Sequence, residues 1–320
     1  MTSSGQASFE IGAVRVQPLG SHLVRIETRG PKGFEDRETF TVAARGGGEA
    51  VAARETRGAG ETVVATATYR VVVPDGAAGL AGVRVENAAG ATLCVLSNAL
   101  LAKKDLPAPS ALPAVWVLGD APRVVPPAWG ALPPPEGAEG ATSGWDLAND
   151  APDAYVFFPR SSGYARFRAD FLRLTGAVPL VPLYALGLWY SRYYAYDERT
   201  ALAVIDRFRR AHIPLDVFVA DTDWRVGASC GYAINEKLFP DMARFVAQAH
   251  ARHVRVMLND HPEPKGPAAL APEELRFRRN GLVSLLEKGV DLWWFDRNWH
   301  THLQAPAPGL DKEVWGMRLY

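Results

Sequence analysis

Four apolar runs in the second half of the chain restrict the fold more than any other feature. They are Tyr184 to Tyr190, Leu215 to Ala220, Arg255 to Leu258 and Asp291 to Phe295. Their ends fall near Trp189, Asp221, Asp260 and Asp296, 32 to 39 residues apart. Helical patterns lie between them. Glu198 to His212 sets Ala201, Val204, Ile205 and Phe208 on one face, and Pro240 to His253 does the same with Met242, Phe245, Val246 and Ala249. Leu282, Leu285 and Leu286 mark a third helix, stopped by Gly289. Strands that are apolar throughout and alternate with helices are parallel and buried on both faces. The cadence is that of a (β/α)8 barrel. Residues 179–320 are expected to form its first half, a partial catalytic barrel truncated after about strand four, with an open strand edge.

Before residue 178 the pattern changes to period two. Val14 and Val16 alternate with Arg15 and Gln17, Val24 and Ile26 with Arg25 and Glu27, and Val83 to Glu86 alternates again. Thr62 to Val73 is rich in Val and Thr. Turn signals separate these runs at Gly46 to Gly48, Pro74 to Gly76 and Asn87 to Gly90. No long amphipathic helix precedes about Tyr164. An antiparallel β-sandwich over residues 1–178 is the expectation. A Pro-rich surface loop runs from Pro107 to Pro135, and a helix ends at Leu174, before Gly176.

Composition excludes several functions. Thirty-five basic residues balance 35 acidic ones, so bulk electrostatics gives no reason for nucleic-acid binding. No apolar run approaches the roughly 18 residues that a membrane helix needs. Met1 to Gly5 has neither a basic start nor an apolar stretch, so a cytoplasmic protein is expected. Cys94 and Cys230 are too few for a disulfide framework. His250 and His253 fall near the end of a helix and are expected in solvent, and His300 and His302 lack a third ligand at readable spacing, so no metal is expected. No serine-nucleophile elbow, P-loop or dinucleotide fingerprint occurs.

Barrel chemistry sits at the C-terminal ends of the strands. Asp221 and Asp223 end the second run, Asn259, Asp260, His261 and Glu263 the third, and Asp296, Arg297 and Asn298 the fourth. One Asp alone is most simply an N-cap. Carboxylates on three successive strand ends point instead to a site that separates their proton affinities. Trp189, Trp224, Trp293, Trp294 and Trp299 fall around them. Aromatic faces pack on the C–H faces of sugar rings while carboxylates accept from the rim hydroxyls. Strand alternation sends one of Trp293 and Trp294 into the helix layer. The candidate substrate-binding residues are Asp221, Asp223, Asp260, His261 and Arg297, with Trp189, Trp224 and Trp294; the carbohydrate is the only partner expected.

The segments WWFDRNW, VFVADTDW and YALGLWYSRYYAY together resemble glycoside hydrolase family 31, the α-glucosidase and α-xylosidase group. VWVLGDAPR and DFLRLTGAVPLVP extend the resemblance upstream over most of the chain. It implies a galactose-mutarotase-like sandwich before the barrel, Asp296 as catalytic nucleophile, and Asp221 as the residue holding hydroxyls of the cleaved sugar. Two positions depart from the family pattern. Trp299 stands where a Glu is expected, and Trp224 where a Tyr is expected.

The resemblance implies a retaining exo-α-glycosidase, α-glucosidase-like, working through a covalent glycosyl-enzyme and needing no cofactor. The general acid/base is expected beyond residue 320, so this chain alone is expected to be inactive. The departures leave α-galactosides or α-N-acetylgalactosaminides open as substrates, and transglycosylation open beside hydrolysis. The alternative is a non-catalytic carbohydrate-binding fragment or pseudo-enzyme.

Overall fold

The computed structural model describes residues 7–45, 48–102, 105–120, 151–227, 231–261 and 272–296, with side chains from 277 onward in the last stretch. It divides into two compact units, the chain passing from one to the other at Val178 and Pro179. Among the described residues no helix is long and apolar enough to cross a membrane.

The first unit contains two five-stranded antiparallel sheets. One orders β1 (Phe9–Ile11), β2 (Val14–Gly20) and β3 (Leu23–Thr28) beside β10 (Asp153–Phe157) and β9 (Trp116–Gly119). The other is a meander of β4 (Arg54–Arg57), β5 (Glu61–Ala65), β6 (Tyr69–Pro74), β7 (Arg84–Asn87) and β8 (Thr92–Val95). The Thr62 to Val73 run is thus two strands. Thr66 turns the chain, its hydroxyl oxygen accepting from the N–H groups of Thr68 and Tyr69. Val14, Val16, Val24 and Ile26 of one sheet share a core with Val64, Val71, Val73 and Val85 of the other.

The polar face of β2 and β3 is covered too. Residues 29–45 bring Glu35, Asp36 and Arg45 over Arg15, Arg25 and Glu27. Asp153 on β10 accepts from Arg25 Nε at 3.0 Å and from Arg45 Nη1 at 2.7 Å. Helix α1 (Pro159–Ser162) leads into α2 (Tyr164–Thr175). Gly176, at φ 98°, ends α2 in a conformation that other residues adopt only with strain.

The second unit is a four-stranded parallel sheet in sequence order: β11 (Trp189–Ser191), β12 (Val217–Ala220), β13 (Arg255–Asp260) and β14 (Leu292–Phe295). Helices α3 (Glu198–Arg210), α4 (Met242–His250) and α5 (Pro272–Leu286) connect them. Asp197 caps α3 reciprocally with Thr200, which fixes where the helix begins. The first strand is shorter than its apolar run. Leu183–Leu186 forms a 3-10 turn, and Gly187 passes so close to Asp216 that no side chain fits there.

Strand parity sorts the side chains. Phe218, Ala220, Val256 and Leu258 join the helix-side core with Ile205, Phe245 and Leu285. Val217, Val219 and Met257 face the other way, where Tyr184 and Leu292 pack on them. That second face is the one opposite the helices.

Candidate active site

The register places the C-terminal ends of β12, β13 and β14 side by side. Ala220 pairs with Leu258, and Asn259 pairs with Trp294. The parity of Val219 and Met257 therefore continues into Asp221, Asn259 and His261, and that of Trp294 into Asp296. These four polar side chains converge. Asn259 Nδ2 lies 2.5 Å from Asp221 Oδ1 and 3.5 Å from Asp296 Oδ2. His261 Nε2 lies 3.1 Å from the same Asp296 oxygen. Asp221, Asn259 and His261 are buried, while the Asp296 side chain keeps 30% of its exposure.

A carboxamide thus stands between two carboxylates. Burial raises the Asp221 carboxyl above the usual range, and the charge of Asp296 adds to the shift. The Thr222 backbone N–H, His261 and Arg225 oppose it. The geometry can hold one carboxylate partly open to a ligand while a second accepts hydroxyl donors beside it.

Below the polar row lies a cavity of about 520 Å³, lined by Trp189, Ser191, Val219, Met257 and residues 293–295. Trp189 and Trp294 are 38% and 37% exposed on this face. Trp293 is the member of its pair that packs on the helix-side core.

The structure does not bring every candidate here. Asp260 is one residue out of parity with Asn259, so it points to the helix side and is fully buried. Burial pushes its carboxyl up to about 6, against the pull of the Tyr232 hydroxyl, Arg225 and Arg278. Trp224 sits in the 3-10 turn Thr222–Trp224 and is 1% exposed, a core side chain beneath the Arg225 guanidinium. Asp223 is half-buried on that turn. Arg297 lies outside the described residues, as do Glu263, Asn298 and Trp299.

Two residues at the centre were not assigned from sequence. Asn259 is one of several polar groups that end the third run, and Arg225 lies in the loop after the second run with no pattern to mark it. RVMLND is apolar on both parities, so hydropathy gives no sign of which of Asn259 and Asp260 faces inward. The available signal was the row count shared with Asp221 and Asp296.

Residues 178–271 match the TIM-barrel domain of the family 31 glycosyl hydrolases. Over this stretch the chain is similar to glycosyl hydrolase family 31. The match includes Asp221, Arg225, Asn259 and His261 and ends before Asp296. An α-xylosidase of Lactiplantibacillus pentosus is 32% identical over 131 residues, 39% of this chain and 16% of the relative. An α-xylosidase of Saccharolobus solfataricus is 35% identical over 128 residues, 37% of this chain and 16% of its own. The matches thus span about a sixth of these relatives' length. Among solved structures, a family 31 α-xylosidase of Xanthomonas citri aligns with a TM-score of 0.59 at 11% identity, covering 92% of this chain and 57% of the other. A family 31 α-xylosidase from a soil metagenome, complexed with xylose, gives 0.55 at 12%, covering 93% and 57%. These likenesses establish the fold.

Proposed function

We propose that this chain carries the nucleophile side of a retaining exo-α-glycosidase, with Asp296 attacking the anomeric carbon of a terminal α-linked sugar. The observation behind this reading is the sharing of one amide, on β13, by Asp221 and Asp296 at the ends of the strands flanking it. Asp296 is the more exposed of the two. Retention needs a second carboxyl roughly 5–5.5 Å from the nucleophile as general acid/base. Asp221, buried and held by Asn259, suits a hydroxyl acceptor better than that role, so the acid/base is assigned to another part of the complete barrel. Each charge-assisted hydroxyl bond to Asp221 is worth about 1.5–3 kcal/mol.

The names of the curated relatives put α-xylosides first as substrates, ahead of α-glucosides, with α-galactosides and α-N-acetylgalactosaminides behind. Trp189 and Trp294 supply apolar surface for one sugar ring. In the complete enzyme, a 5-fluoro α-xylosyl fluoride is expected to label Asp296, and Asp296→Ala to lower turnover by at least about a thousandfold. Label on another carboxylate, or near-parental turnover of Asp296→Ala, would overturn the assignment. Sugar binding with neither label nor turnover would favour a carbohydrate-binding module.

A further inference from the structure

We infer that Arg225 is a positioning residue for this site, its guanidinium fixing the Asn259 amide so that the NH2 group faces Asp221 and Asp296. The inference gives the reading of this cluster as a sugar site a mechanical basis, and rests on it. Arg225 is 1% exposed. Its Nη2 donates both to the Asn259 side-chain oxygen and to the Asn259 main-chain carbonyl. Arginine has only donors, so the amide must present its oxygen to Arg225 and its nitrogen to the carboxylates. The reverse orientation would set N–H against N–H and oxygen against carboxylate oxygen.

Arg225 is itself fixed by its backbone. It bridges Ile234 in antiparallel fashion, Val226 N–H donates to Ala233 O at 2.8 Å, and Asn235 N–H to Trp224 O at 2.7 Å. The guanidinium also lies over the Trp224 ring at 4.5 Å. Trp224 therefore serves the site by supporting Arg225. The chain of control runs from the loop after β12, through Arg225 and Asn259, to the two carboxylates. Without it, Asp221 would keep its burial and its repulsion from Asp296 while losing its closest donor.

Among the described residues, the groups facing Asp221 are Asn259 on β13, His261 just after that strand, Asp296 just after β14, and Thr222 N–H and Arg225 from its own loop. The test reads the Asp221 titration directly, by carboxyl-carbon NMR on the full chain. Loss of one charge-assisted hydrogen bond corresponds to a rise of about one pH unit. Arg225→Met is expected to raise the Asp221 midpoint by about that amount. In an Asn259→Ala background the same substitution should add less than half of it. Arg225→Lys keeps the buried charge, so it controls for folding and for charge. It lacks the planar fork, and the midpoint should still rise. An unchanged midpoint in Arg225→Lys would overturn the proposal, showing that charge alone acts. Equal shifts with and without Asn259 would overturn it too, since Arg225 would then act directly. The readout needs no turnover. A moved titration with no label on Asp296 would leave the positioning role standing and remove the glycosidase reading.

Discussion

Asp260 and Asn259 are adjacent in sequence, and strand parity gives them opposite surroundings. Asn259 faces two carboxylates. Asp260 faces Tyr232, Arg225 and Arg278 behind the sheet, with its carboxyl pushed up to about 6 by burial. An acid whose affinity for protons is raised by folding binds more protons folded than unfolded between about pH 4 and 6. Stability therefore falls as pH rises through that window, and the contribution is lost above it. A shift of about two units corresponds to about 3 kcal/mol. The urea midpoint of the second unit is expected to drop between pH 4.5 and 7.5. Asp260→Asn should flatten that dependence, because a neutral amide fills the place at every pH. A parental slope in the variant would show that other groups carry it.

At the scale of elements, the first unit owes its register to ions as well as to apolar packing. Asp153 on β10 is fully buried and accepts from Arg25 on β3 and from Arg45 in the covering segment. Removing one partner of a buried pair leaves uncompensated charge, at a cost of about 3–5 kcal/mol. Asp153→Ala should lower the stability of the sandwich by that amount in denaturant unfolding. Arg57→Ala, breaking a pair whose arginine is 78% exposed, should leave the midpoint unchanged. A small loss at Asp153 would mean that Arg25 and Arg45 find other acceptors. The alternation of valines with Arg15, Arg25 and Glu27 was legible as strand. The burial of that polar face was not, because residues 29–45 carry no period that announces a cover. Helix α3 was legible down to its first turn, since its apolar face follows directly on the Asp197 cap. The run Tyr184 to Tyr190 read as strand because hydropathy cannot separate a 3-10 turn from a three-residue strand. Asp221 and Asp296 were legible as strand-end carboxylates. Asn259 and Arg225 were not, because a strand apolar on both faces hides its own parity.

At the scale of the whole molecule, the two units differ in how completely they cover apolar surface. The first closes two sheets on one another, and its β2 and β3 are buried on nearly every residue. In the second, Leu180, Leu183 and Leu186 are 99%, 85% and 73% exposed. Among the described residues, β11 and β14 each pair on one side alone. Contiguous apolar surface and unpaired strand edges favour association. Residues 1–178, produced alone, are expected to fold. Trp116, 7% exposed and packed against Phe157 and Phe167, gives a fluorescence signal for this unit. The fragment should unfold in one cooperative transition, with a midpoint matching the Trp116-reported transition of the full chain. Limited proteolysis of the full chain should leave a resistant piece ending near Val178, as cleavage proceeds from the exposed leucines. A fragment that aggregates, or unfolds far below the full chain, would show that the sandwich draws its stability from residues 179–320. Its covered polar face and its shared valine core argue for the opposite result.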